Sequence, residues 1–156
     1  MKTVMTKTLT GYLVDPDTAT ISAIDLERDE NGSLLTALYQ LIGCQLVEKY
    51  ELGDNHDLWI DEEGWLTFPR AVIGTEAHGT NLLLAGRGVI LGVNDEGDCI
   101  TPTRSIEDCA ASLVAHQAVI SVGFETKTHV NEGVTVVQSI AAHRTHLETM
   151  PFVVTA

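Results

Sequence analysis

Apolar and polar residues alternate along the first structured stretch of the chain. Gly11-Tyr12-Leu13-Val14 reads as a strand, Asp15-Pro16-Asp17 as a turn and Thr18 to Leu26 as the return strand of a hairpin. Thr18, Thr20, Ile21 and Ile24 are β-branched, which suits a pleated, half-buried surface. Pro16 presets φ for the turn, and the flanking aspartates can bond nearby amides. The charged run Glu27-Arg28-Asp29-Glu30-Asn31-Gly32 ends the alternation, and the period then changes. Leu34, Leu35, Leu38, Leu41 and Ile42 fall on one face of a helix, with Ser33 placed to cap it and Gly43 to stop it. This spacing predicts a helix over about 34–43.

Cys44 to Leu52 alternates imperfectly and predicts a strand, followed by a turn at Gly53-Asp54-Asn55. Leu82-Leu83-Leu84-Ala85 and Val89-Ile90-Leu91 are apolar enough for buried strands, punctuated by Gly79, Gly86, Gly88 and Gly92. Two segments share a pattern: Trp59-Ile60-Asp61-Glu62-Glu63-Gly64 running to Phe68-Pro69, and Gly92-Val93-Asn94-Asp95-Glu96-Gly97 running to Thr101-Pro102. Each predicts a hairpin with an acidic turn and a glycine at positive φ. The likeness is too short to require an internal duplication. Ser105-Ile106-Glu107-Asp108 opens a second helix, about 106–115, with a serine cap and acids in the first turn. Val119 to Phe124, Val134 to Ile140 and Phe152 to Val154 are strand-like, with a turn at Asn131-Glu132-Gly133. The sum is an α+β fold: a mostly antiparallel sheet, two short helices and a strand-rich C-terminal extension.

Composition sharpens this picture. At 156 residues, 44% hydrophobic and 20% charged, the chain suits one domain over 1–156 with a real core. No apolar run approaches the roughly 20 residues of a membrane span, and MKTVMTKTLT lacks the apolar stretch of a signal peptide. Three cysteines (44, 99 and 109) with no CxxC pair point to reduced thiols and a cytoplasmic setting. A net charge of −13 with nine basic residues argues against direct nucleic-acid binding.

The order of several segments adds context. Gly11-Tyr12-Leu13-Val14-Asp15-Pro16 is followed by Tyr39-Gln40-Leu41-Ile42-Gly43-Cys44-Gln45-Leu46-Val47-Glu48. Then come Trp59-Ile60-Asp61-Glu62-Glu63-Gly64, Leu84-Ala85-Gly86-Arg87-Gly88-Val89-Ile90-Leu91-Gly92 and Asp95-Glu96-Gly97. Over about residues 11–114 the chain resembles a family of small uncharacterised proteins carried by bacteriophages, plasmids and their hosts. The resemblance implies a mobile-element accessory protein in a bacterial host cell. It brings no activity that can be carried over to particular residues. Residues 115–156 extend beyond it as an elaboration.

Candidate chemistry is sparse. The most suggestive ligand-binding feature is Gly86-Arg87-Gly88, where glycines would let amides approach an anion and Arg87 could grip a phosphate. Arg70 and Arg104 also lie near the ends of predicted strands or turns. His78-Gly79-Thr80 and His143-Arg144-Thr145 form two His-x-Thr triplets, the arrangement of two-histidine phosphoesterases. One His would serve as base and the other as acid, with Thr80 and Thr145 holding phosphate oxygens. His143 and His146, with Glu148 nearby, would share a face on a helix but not on a strand, and no further ligands complete a metal site. No P-loop or dinucleotide fingerprint is present, and no cofactor is expected. The acids Glu51, Asp54, Asp57, Asp61, Glu62 and Glu63 could mimic a nucleic-acid backbone, or simply keep a hairpin end soluble. Trp59 and Trp65 flank the first acidic turn and are expected to be buried, holding the hairpin onto the sheet; if exposed they would mark an interface or a base-stacking surface.

These observations lead to an expectation of non-catalytic binding, with a small anionic or nucleotide-like ligand or a host protein as the partner. An anti-defence protein that sequesters a nucleotide signal fits this description. Homo-oligomerisation through the strand-rich tail would help to build such a pocket. The two alternatives are a phosphodiesterase using His78 and His143, and an acidic decoy that inhibits a host nucleic-acid-binding protein.

Overall fold

In the computed structural model the described residues are 7–77 and 80–156, with side-chain surroundings described at all of these except 77, 121–129, 131 and 136–144. The chain forms two compact units, one made of 1–117 and 149–156, the other of 118–148.

In the first unit the predicted opening hairpin forms as β1 (Thr8–Asp15) and β2 (Thr20–Glu27), paired antiparallel from Thr8↔Glu27 to Asp15↔Thr20. The leucine-rich stretch becomes α1 (Leu35–Ile42), and Gly43 ends it in the left-handed region at φ 80° with its N–H on the Tyr39 carbonyl. Ser33 Oγ accepts the Leu35 amide at 3.2 Å. β3 (Val47–Gly53) and β4 (His56–Asp61) form the next hairpin, turning at Gly53, Asp54 and Asn55, all at positive φ. β5 (Ala71–Ala77) and β6 (Thr80–Ala85) pair antiparallel, followed by β7 (Gly88–Val93) and the short β8 (Cys99–Ile100). α2 (Ile106–Ala111) begins at Ser105, whose Oγ accepts the Asp108 amide at 3.1 Å. It ends before the predicted 115 because Leu113 already opens β9 (Leu113–Asn131). β10 (Val134–Pro151) and β11 (Val153–Thr155) complete the chain.

The strands form two sheets, predominantly antiparallel as expected. One runs β11-β2-β1-β7-β4-β3, with β8 continuing the line of β1 along β7, and its β11–β2 pairing is parallel. The other has the order β10-β9-β5-β6. Strand alternation gives the first sheet two apolar faces. Val14, Ile21, Leu58, Ile60 and Ile90 meet Ile73, Leu84, Leu113 and Ala115 of the second sheet, Cys109 and Ala110 of α2, and Phe152. On the opposite face Leu26, Val89 and Leu91 meet Leu38 and Ile42 of α1 and Leu34 just before it. β7 is covered on both faces, which explains its unbroken apolar run GVILGV. Gln117 Nε2 ties the start of β9 to the β1–β2 turn by donating to the carbonyls of Pro16 and Asp17, each at 2.9 Å.

One of the two look-alike segments departs from its expected shape. Asn94 to Gly97 is the expected turn, with Gly97 at φ 83°. After β4, however, Gly64 lacks a positive φ, and residues Gly64–Thr67 form a 3-10 turn instead of a hairpin. Gly64 is needed there for space: a Cβ on it would stand 2.6 Å from the Ala85 carbonyl oxygen.

The second unit consists of the remaining lengths of β9 and β10, joined through Glu132 (φ 50°) and Gly133 (φ 78°). Within it His146 Nε2 lies 3.5 Å from Glu148 Oε1, as residues two apart on one strand face can. Among the described residues no helix is long and apolar enough to cross a membrane.

Candidate functional site

The 3-10 turn after β4 carries the largest exposed apolar side chains of the first unit. Trp65 is 56% exposed, Leu66 73% and Phe68 91%. The turn is firmly built despite this. The Glu63 amide donates to Asp61 Oδ1 at 2.9 Å, the Leu66 amide to the Glu63 carbonyl at 3.0 Å, and Thr67 Oγ1 to the Gly64 carbonyl at 2.8 Å. Phe68 closes the turn at φ 52°, ψ 65°, a left-handed conformation rarely adopted by an aromatic residue. Exposed Glu62 and Glu63 precede the apolar group, and exposed Arg70 follows it. A bland hairpin end would not hold three large apolar side chains in water on a braced, strained turn.

A second feature lies on the α1 side of the first sheet. Trp59 faces Lys49 across the β3–β4 ladder, and Lys49 Nζ sits 5.9 Å from the centre of the indole. The same ammonium lies 3.6 Å from Asp57 Oδ2, a carboxylate whose side chain is 6% exposed. The Trp59 Nε1–H is buried and has no hydrogen-bond partner among the described residues. Beside it a cavity of about 230 Å³ is lined by Trp59, Arg28, Leu34, Leu35, Leu38 and the turn Gly97 to Cys99. The Arg28 guanidinium helps to frame it, donating to the carbonyls of Gly32 at 3.0 Å and Cys99 at 2.9 Å.

The residues singled out from sequence fall in several places. Arg87 Nε lies 3.6 Å from Asp15 Oδ2, and its side chain is half exposed. Gly86 takes φ 88° to turn the chain between β6 and β7, and a Cβ on Gly88 would stand 2.6 Å from Leu58 Cδ1. One glycine thus serves the turn and the other makes room for Leu58. Arg104 uses its backbone, its N–H donating to His56 Nε2 and its carbonyl accepting from Tyr12 Oη. Four open clefts among the described residues are lined by residues other than Arg70, Arg87 and Arg104. His78 lies outside the described residues, as does the side chain of His143. Thr80 opens β6 in the first unit, and Thr145 is exposed on β10 in the second. Of the acidic run, Asp57 is withdrawn into the protein beside Lys49.

All three thiols are raised above the ordinary cysteine value, chiefly by burial. At Cys99 the positive charges of Arg28 and Lys49 partly oppose that rise. Thiol chemistry therefore has no support here, because the nucleophile is the thiolate.

Sequence reasoning passed over His56 and His116. His56 is buried and bonded through both ring nitrogens. His116 lies over Gly74, with Nδ1 2.9 Å from Thr149 Oγ1, on the wall of a cavity of about 500 Å³. Neither histidine sits in a motif, so only the pairing of distant strands brings it into view.

Comparison with known proteins gives a family but no activity. A family model described as a domain of unknown function (DUF3846) matches residues 9–114. A protein of Sinorhizobium fredii (strain NBRC 101917 / NGR234), named uncharacterized protein y4iR, is 26% identical over 116 residues, covering 74% of this chain and 69% of that protein. No solved structure gives a significant match.

Proposed function

The chain belongs to the DUF3846 family, and from that premise we propose that it works by non-catalytic binding, as an accessory protein of a phage or other mobile element that occupies a host protein. The observation that carries this reading is the braced turn presenting Trp65, Leu66 and Phe68 to solvent. Side chains of this size each gain about 1.5–3 kcal/mol when fully buried, a gain they forgo in the free protein. The occupant is best matched by an apolar cleft with a basic rim. Glu62 and Glu63 precede the apolar group, outnumbering Arg70 on its other side, and the whole chain carries −13. The mobile-element setting rests on the resemblance carried by the ordered segments between residues 11 and 114.

The test places a photo-crosslinking amino acid at Leu66 in bacterial cells, with Glu107 on α2 as the control position. One dominant host protein is expected to crosslink from position 66 and not from 107. With that protein purified, Phe68→Asp should weaken binding at least tenfold, and raising the salt should weaken it further. Crosslinking to a second copy of the chain would overturn the reading. So would equal yields at both positions, or equally tight binding by Phe68→Asp.

A further inference from the structure

We propose that the free edge of β6 takes an added β-strand from the host partner: an extended, apolar segment with a basic flank, held to β6 through its backbone. The inference rests on the reading of the protein as one that occupies a host protein, and deepens it by naming the mode of contact. β6 (Thr80–Ala85) ends the β10-β9-β5-β6 sheet and pairs antiparallel with β5 from Ala77↔Thr80 to Val72↔Ala85. In such a ladder every second residue turns its N–H and C=O away from the neighbouring strand. Among the described residues no further strand or backbone group bonds that outward set on β6.

β6 also lacks the protection seen at both ends of the other sheet. β3 carries Glu48, Lys49 and Glu51 and shifts register between Glu51 and Gly53, and β11 is only three residues long. Charge, a bulge and shortness each blunt an edge against pairing. β6 reads TNLLLA, six residues with no charge, no proline and no register shift. Leu82 and Leu84 pack on the core, while Asn81 and Leu83 are exposed, Leu83 at 49%. Asn81 and Leu83 line the cleft of about 500 Å³ that Gly74, Val114 and His116 also line. That cleft gives alternate side chains of an added strand a place to lie. At its far end β6 adjoins the candidate contact turn, because Gly64 lies against the Ala85 carbonyl. A strand running along β6 would reach the turn that presents Trp65 and Leu66.

Charge selects the occupant. The chain carries −13, so two copies set edge to edge would repel. Exposed Glu76 stands on β5 opposite Asn81, and a lysine or arginine on the added strand at that end would meet it. At the other end Arg70 precedes β5 and Arg87 follows β6, with Arg87 facing Asp15. The basic flank therefore belongs at the Thr80 end.

The test places a photo-crosslinking amino acid at Asn81, and separately at Leu83, in bacterial cells, with exposed Glu51 on β3 as the control position. Both should capture one host protein that position 51 does not. Peptide mass spectrometry should put the two attachment sites on one segment, about two residues apart, with its lysine or arginine nearer the site reached from Asn81. With that protein purified, hydrogen exchange read by NMR should show the outward β6 amides exchanging quickly in the free chain and at least tenfold more slowly in the complex. Asn81→Pro and Leu82→Pro separate backbone pairing from side-chain contact, since one of these adjacent N–H groups faces β5 and the other faces outward. Proline at the outward one should keep the unfolding midpoint and weaken binding at least tenfold. Capture of a second copy, attachment sites scattered over the partner, or unchanged β6 exchange in the complex would overturn the inference. Capture from Leu66 with none from positions 81 and 83 would overturn it while leaving the contact turn in place. Ordered capture from 81 and 83 with none from 66 would uphold the strand edge and remove the turn.

Discussion

The Nε2 atom of His56 accepts the backbone N–H of Arg104 at 3.2 Å, joining positions 48 apart in the chain. It also accepts the N–H of Thr103 at 3.1 Å, while Nδ1 lies 2.8 Å from the Asp54 carbonyl. Two donors at Nε2 and an acceptor at Nδ1 fix one neutral tautomer, with the proton on Nδ1. The imidazole thereby staples the β3–β4 turn to the segment that leads into α2. His56→Phe fills the space but leaves these backbone groups without partners. It should cost about 1–3 kcal/mol in urea unfolding, since two or three part-buried hydrogen bonds are lost and each contributes about 0.5–1.5 kcal/mol. Hydrogen exchange at Thr103 and Arg104 should quicken in the same variant.

Tyr12 holds the other side of Arg104 by donating its hydroxyl to the carbonyl at 2.7 Å. Burial raises the Tyr12 phenol above its ordinary 10.0, helped by negative charge at Cys109 and Glu107. Burial likewise raises Cys109 above its ordinary 9.0. The sign follows from proton counts. Above those ordinary values the unfolded chain has released protons that the folded chain still holds, so stability falls as pH rises. The contribution is fully present below about 9 and is lost first through Cys109, then through Tyr12. Urea midpoints measured from neutral to strongly alkaline pH should show this decline. Tyr12→Phe should cost about 0.5–1.5 kcal/mol at neutral pH and flatten the more alkaline part of the curve.

The alternation of β1 and β2, the apolar run of β7 and the glycine-stopped α1 were legible because local pattern and tertiary environment agree there. The site was less legible. Gly86-Arg87-Gly88 suggested an anion cradle from residue types alone. In the fold one glycine turns the chain, the other clears Leu58, and Arg87 faces Asp15. Trp65, Leu66 and Phe68 gave no sign of their exposure, because an apolar cluster reads the same whether it faces core or solvent. The cleft beside Trp59 is lined from α1, β4 and the β7–β8 turn, which no short window of sequence contains.

Gly64 and Gly86 separate two reasons for glycine. Gly86 sits at φ 88° with nothing within 4 Å of an added Cβ, so Gly86→Ala meets only backbone strain, about 1 kcal/mol. Gly64 carries no such φ, but an added Cβ would strike the Ala85 carbonyl at 2.6 Å. Backbone must move to relieve that clash, and Gly64→Ala should cost about 1–3 kcal/mol. Gly86→Asn, tolerant of positive φ, should recover most of the loss at its site. Gly64→Asn should recover none. Thermal or urea unfolding of the four variants checks the contrast.

Phe68 couples the strain of the turn to its proposed use. An aromatic side chain at φ 52° and 91% exposure gains little from the fold and pays for its left-handed backbone. Asparagine adopts that region far more readily and needs no burial. Phe68→Asn should therefore leave stability unchanged or raise it by up to about 1 kcal/mol, because the strain it relieves is about 1–2 kcal/mol. It should also abolish capture of the partner that crosslinks from Leu66. Unfolding midpoints and partner affinity, measured on the same preparation, should move in opposite directions. A Phe68→Asn protein that is markedly destabilised would place the side chain in the packing of the fold, and the contact surface would have to be sought elsewhere.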